Sequence, residues 1–181
     1  MSITSLPGEL SGNYLLDTTR TRVGFIARHT MSTRVHGRFE EFEGNAHLDV
    51  GHPSKSEIRL TIRARSIRTG KPQRDDLLGG KFLDADGHPN LTFVSTRVEQ
   101  AEENVFRVTG DLTIRTVTRP VTVVFTLTGT ETGPRGACRI GARGRATIDR
   151  NDWGVNWNAM TTAMVSPKVT LDFDVSVVRR P

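Results

Sequence analysis

Cys138 is the only cysteine in a chain of 181 residues, so no internal disulfide can form. No run of about 18 apolar residues occurs, which excludes a membrane-spanning helix. The opening stretch, MSITSLPGELSGNYLLD, has no charged start followed by an apolar segment. Pro7, Glu9 and Ser11 interrupt any such segment, so no secretory signal is expected. With the single cysteine, this predicts a cytoplasmic protein. Aromatic residues are scarce at 6%, and most are Phe in apolar strand phases. Trp153 and Trp157 flank Gly154-Val155-Asn156, but a stacking platform for single-stranded nucleic acid needs more exposed rings than this.

Sequence signatures of chemistry are missing too. The histidines His29, His36, His47, His52 and His88 form no HExxH and no tight His/Cys pair, so no metal site is expected. No GxSxG, no P-loop and no GxGxxG opening a helix occurs. Asp84-Ala85-Asp86-Gly87 lacks the spacing and terminal Glu of a calcium loop and reads as a turn. These absences predict a protein that is not an enzyme, with no catalytic residue and no cofactor of its own.

What the chain does have is alternation. Extended runs are predicted over residues 13–17, 20–29, 35–50, 57–65, 91–98, 105–114, 117–129, 138–149 and 168–178. Apolar residues in each recur with period two, the mark of a half-buried strand. In the run 35–50 the apolar phase changes at Glu40-Glu41, which predicts a β-bulge. Thr30 to Thr33 is a connection or one helical turn. Two short helices are expected, near Gln73 to Gly80 and Arg150 to Trp153. No long segment has a 3.6 period, and no βαβ rhythm appears. The fold class is all-β: an antiparallel meander, closed as a barrel or folded as a sandwich. Residues 1–12 read as an N-terminal extension and 13–181 as one domain. Strands of about ten residues make walls on the order of 30 Å tall, and eight of them can be filled by side chains or hold one ligand.

Charge is the remaining bulk signal. The net charge is +5 and the sequence pI about 10.1. Arg59, Arg63 and Arg65 share one strand face, and Arg143 and Arg145 another. A solvated outer sheet face accounts for them, with an anion site as the alternative. A nucleic-acid or membrane-surface module would use these same faces.

The stretch from Ser66 to Thr96 breaks the alternation with Gly, Pro, the Arg74-Asp75-Asp76 cluster and Leu77-Leu78. The cluster is expected to form a local ion pair and helix N-terminal cap. This stretch also carries Ser66-Ile67-Arg68-Thr69, Lys81-Phe82-Leu83-Asp84 and His88-Pro89-Asn90-Leu91-Thr92-Phe93. Around it stand Leu16-Asp17, Val23-Gly24-Phe25, Val35-His36-Gly37-Arg38-Phe39, Gly110-Asp111-Leu112-Thr113-Ile114, Thr118-Arg119-Pro120-Val121 and Arg150-Asn151-Asp152-Trp153-Gly154. In this order and spacing, from about Tyr14 to Val178, the chain resembles the YceI-like polyisoprenoid-binding proteins.

That resemblance implies an antiparallel eight-stranded lipocalin-like barrel with one or two short helices and a long apolar channel. It implies a polyisoprenoid lipid, an isoprenoid quinone or a prenyl phosphate, held there for carriage or storage, and a homodimer. It implies no specific nucleic acid and at most transient contact with a membrane surface. The wall candidates are Phe25, Phe39, Ile62, Phe93, Phe106, Phe125, Leu127, Leu171 and Phe173. His29, Arg74 and Trp153, in the matching motifs, complete the expected ligand-binding set. An enzyme acting on a lipophilic substrate would instead use Arg74, Asp75 or His29. Two positions depart from the family pattern. Arg20-Thr21 and Leu77 stand where relatives often carry His, which implies a preference for a different head group, or for none. The Ser66–Thr96 insert is expected near the ligand entrance.

Overall fold

The structure, a computed structural model, describes residues 10–29, 34–156 and 165–180, the side chains of His29 and Val165 excepted. The expected Thr30–Thr33 connection and Trp157 lie outside the described residues. Eleven strand segments form one antiparallel sheet. They are β1 (Gly12–Leu16), β2 (Arg22–His29), β3 (Arg34–Phe39), β4 (Phe42–Leu48), β5 (Glu57–Arg63), β6 (Ile67–Arg68), β7 (Asn90–Glu102), β8 (Val105–Ile114), β9 (Val117–Thr132), β10 (Cys138–Asp149) and β11 (Val165–Arg179).

Three walls of the barrel are broken strands, namely β1 with β2, β3 with β4, and β5 with β6; β7 to β11 supply the other five. The edge of β11 makes the closure. It pairs with β2 from Arg22 to Ala27 and then with β1 at Leu15 and Leu16. The eight walls therefore form a closed antiparallel barrel, which removes the free sheet edges that invite aggregation.

The interruption at Glu40-Glu41 lies where the alternation changes phase. Its backbone groups are not lost. Glu40 N donates to Ser66 O at 3.1 Å and Arg63 N to Glu41 O at 2.9 Å. The break in β3–β4 is thus bonded to the break in β5–β6, and both walls bend together. Ser66 Oγ, in a buried side chain, donates to Arg63 O at 2.7 Å.

The Ser66–Thr96 insert holds the one α-helix among the described residues, α1 (Pro72–Leu77), with Pro at its first turn. A wider π turn (Leu78–Phe82) continues it. The expected ion pair within Arg74-Asp75-Asp76 is replaced by a different device. Buried Asp75 accepts from Thr69 N and Oγ1 at 2.7 and 2.6 Å, while Arg74 donates to Thr69 Oγ1 and O, each at 2.7 Å. The two side chains grip one threonine and tie the helix to the loop before it. No side chain caps the helix start at Lys71. Arg150–Trp153 forms a single 3-10 turn, opened by Asp149 accepting from Asn151 N.

Two packed clusters lie toward the two barrel ends. At the insert end, Ala64, Ile67, Phe82, Leu83, Trp153 and Val155 bury one another. At the other end Leu10, Tyr14, Cys138 and Ile140 do so. Leu10, in the segment expected as an extension, is 1% exposed, and Tyr14 Oη donates to its carbonyl at 2.5 Å. Burial, with Cys138 beside it, holds the Tyr14 phenol above its ordinary value.

Asp17, just after β1, ties that wall to β10. Its carboxylate accepts from Thr19 Oγ1 at 2.6 Å and from Arg139 Nη1 at 2.7 Å. The Thr19 hydrogen bonds, then Arg139, lower its pKa from 3.8 to about 2. A folded-state pKa below the unfolded value stabilises above the unfolded value and loses that stabilisation on acidification. This contribution should therefore be complete above about pH 4 and vanish toward pH 2. Urea midpoints at pH 5, 3 and 2 should fall more steeply for the wild type than for Asp17→Asn.

Candidate functional site

Inside the barrel runs a cavity of about 240 Å³. It draws lining residues from β1 to β5 and β7 to β11, so it occupies the barrel axis and not a surface fold. Phe39, Ile62, Phe93 and Phe106 line it, as do Phe125, Leu127, Leu171 and Phe173. Eight of the twelve sequence-marked residues thus converge from six strands on one space. Val23, Leu60, Val108, Val123, Val175 and Val177 extend the same surface.

The burial of these side chains separates a hollow barrel from a filled one. Phe39, Phe93, Phe106, Phe125, Leu127, Leu171 and Phe173 all face inward, yet each keeps part of its surface in contact with solvent. In a close-packed interior such side chains would be fully buried. The charged lining positions do not put charge inside. Arg59 alternates with inward Ile58 and Leu60, so its side chain faces outward and borders a second, external groove with Asn45, His47 and Glu57. Asp49 is occupied within its own turn, accepting from His52 N at 2.9 Å.

Glycines keep the space open. Phe125 and Phe173 are the cross-strand partners of Gly144 on either side, their ring centroids 6.2 Å apart. A Cβ at Gly144 would stand 2.6 Å from the Phe125 ring. Without it, the rings lie against the wall and the axis stays clear. Phe93 covers Gly110 in the same way, within 2.4 Å of where its Cβ would be.

The remaining four marked residues sit elsewhere. Phe25 lies over Gly37, its cross-strand partner, and stacks on Phe39 with centroids 5.8 Å apart; it backs the lining and does not border the cavity. Arg74 is committed to Thr69 and does not reach the cavity. Trp153, 3% exposed, donates from Nε1 to Leu112 O at 2.8 Å and packs in the end cluster. The His29 side chain lies outside the described residues.

The outer face is charged and largely self-paired. Arg22 and Arg145 both approach Asp172, at 3.4 Å each, and Arg143 approaches Asp174 at 3.5 Å. Arg63 meets Glu41, and Arg65 meets Asp86. These contacts favour the solvated-face account of the arginines. No group of three His, Cys, Asp or Glu able to hold a metal comes together among the described residues.

Against known proteins, the YceI-like domain model matches residues 14–177. The chain belongs to the YceI-like family. A UPF0312 protein of Pseudomonas savastanoi pv. phaseolicola is 32% identical over 170 residues, 92% of this chain and 85% of that protein. A UPF0312 protein of Pseudomonas putida strain W619 is 35% identical over 144 residues, covering 79% and 72%. Among solved structures, Burkholderia cenocepacia BcnA superposes with a TM-score of 0.79 at 25% identity, covering 89% of this chain and 98% of BcnA. A polyisoprenoid binding domain from Saccharophagus degradans, implicated in plant cell wall breakdown, superposes with a TM-score of 0.69 at 16% identity, covering 92% and 98%; at that identity the likeness is of fold. This YceI-like chain keeps the family barrel with a hollow, apolar axis.

Proposed function

We propose that this protein binds a polyisoprenoid lipid along the barrel axis and carries or stores it, without catalysing a reaction. The observation that carries the reading is the axial cavity, walled by inward phenylalanines and aliphatic residues that the protein's own side chains do not fully bury. Such a surface gains by taking up an apolar chain. Burying the roughly twenty carbons of four isoprene units, at about 0.8 kcal/mol each, gains on the order of 16 kcal/mol as an upper bound. Association costs roughly 4–15 kcal/mol, so a chain of this length is held and a much shorter one is not. Family membership and the likeness to a polyisoprenoid binding domain support the same ligand class. Within that class, an isoprenoid quinone or a prenyl phosphate supplies the needed tail.

The reading is tested on protein purified without detergent. Organic extraction and mass spectrometry should recover an isoprenoid, and stripped protein should take up added geranylgeraniol or an isoprenoid quinone stoichiometrically. Empty extracts together with no uptake of either compound overturn it.

A further inference from the structure

Resting on that reading, we propose that Leu10, in the chain just before β1, limits how long an isoprenoid chain the barrel accepts. On three neighbouring walls the cavity lining stops at one level. Leu16 on β1, Val177 on β11 and Ile140 on β10 are successive cross-strand partners, and all three border the cavity. Two residues along each strand, in the same inward phase, stand Tyr14, Arg179 and Cys138, and none of them borders it. Tyr14 and Cys138 are 1% and 5% exposed, and Leu10, 1% exposed, packs in their cluster. The lining residues Leu48, Val50, Ile58, Leu127 and Val177 pack against that cluster. An apolar chain advancing along the axis toward these walls therefore meets the layer that holds Leu10.

Leu10 differs from the rest of that layer. Tyr14, Ala46, Cys138 and Ile140 are fixed in strands, whereas Leu10 precedes the first of them. Chain ends of this kind are poorly ordered unless they are tied down. Here three hydrogen bonds tie two residues. Tyr14 Oη donates to Leu10 O at 2.5 Å, Arg179 Nη1 to Ser11 O at 2.5 Å, and Val50 N to Ser11 Oγ at 2.9 Å. Gly12, at φ +150°, lets Arg179 lie close, since a Cβ there would stand 3.0 Å from Arg179 Cδ. On the β4 side the lining runs on to Val50, level with Ser11, so the Leu10 side chain stands beside the last stretch of the cavity. A smaller side chain at this position adds its space to the cavity, and a larger one takes space away.

The test is a length series of linear prenyl alcohols, from farnesol upward by one isoprene unit at a time, competed against radiolabelled geranylgeraniol. Affinity for the wild type should rise with each unit until the cavity is full and then stop rising. Leu10→Ala should move that limit one unit longer, and bind the first alcohol beyond the wild-type limit at least about tenfold more tightly than wild type does, because burying a further isoprene unit is worth more than that. Leu10→Phe should move the limit one unit shorter. General loosening of the fold would not shift the two variants in opposite directions. Circular dichroism confirms folding, and Leu10→Val, a smaller truncation, replaces the Ala variant if that one does not fold. Limits unchanged from wild type, or shifted the same way in both variants, overturn the proposal. So does a wild-type affinity that climbs with every added unit. If the wild type binds none of these alcohols, the lipid-binding reading itself fails, and this inference with it.

Discussion

Leu171→Asp should lose more than about a hundredfold in affinity for geranylgeraniol. Leu171 lies in β11, opposite Phe25 on one side and Ala146 on the other, and faces the cavity. In the empty barrel a carboxylate there stays hydrated, because its apolar neighbours already touch solvent. Binding a hydrocarbon chain would strip that water and leave the charge without a partner. Among the described lining residues the one cation, Arg59, points outward and cannot pair with it. Desolvating an unpaired charge costs several kcal/mol, and about 2.7 kcal/mol already corresponds to a hundredfold. Leu171→Met keeps volume and polarity and should bind within a few fold of wild type. Equilibrium binding of radiolabelled geranylgeraniol, with circular dichroism to confirm folding, decides the matter. Undiminished affinity in the folded Asp variant would place the ligand outside the barrel.

Trp153→Ala should lower stability by about 3–5 kcal/mol, the usual cost of truncating a buried tryptophan. The indole is 3% exposed and packs among the residues that cap the insert end. Its removal leaves a cavity and also leaves Leu112 O without the Nε1 donor. For a domain of this size the melting temperature should fall by roughly 6–20 °C. Trp153→Phe keeps most of the packing and loses the hydrogen bond, so it should fall between the two. A shift of only a degree or two in Trp153→Ala would show that the cap does not hold that end of the barrel closed.

These two residues show how differently the parts of the site could be read. Leu171 and Phe173 share a phase in one alternating strand, and that phase alone directs them inward. Trp153 sits in a matching motif with no periodicity around it, so its place in the chain does not say whether it meets ligand or packing. Its Nε1 bond to Leu112 O, 41 residues away, makes it packing. Phe25 has the inward phase but falls opposite Gly37, and the missing side chain there lets its ring fold down behind the lining. Arg74 has the composition of a head-group ligand, but Thr69, five residues earlier, takes its donors.

The strands and their faces were determined by the sequence itself. The runs 105–114 and 138–149 match β8 and β10 to the residue, because period-two burial is a local property of an extended chain. The phase change at Glu40-Glu41 and the turn at Arg150–Trp153 were local in the same sense. Barrel against sandwich was not. Alternation is identical in both, and only the sharing of one β11 edge between β2 and β1 closes the sheet. Nor could composition tell a hollow axis from a full one. That depends on where rings meet glycines across strands, as at Gly144 and Gly110, and such meetings are set by register between residues far apart in the chain.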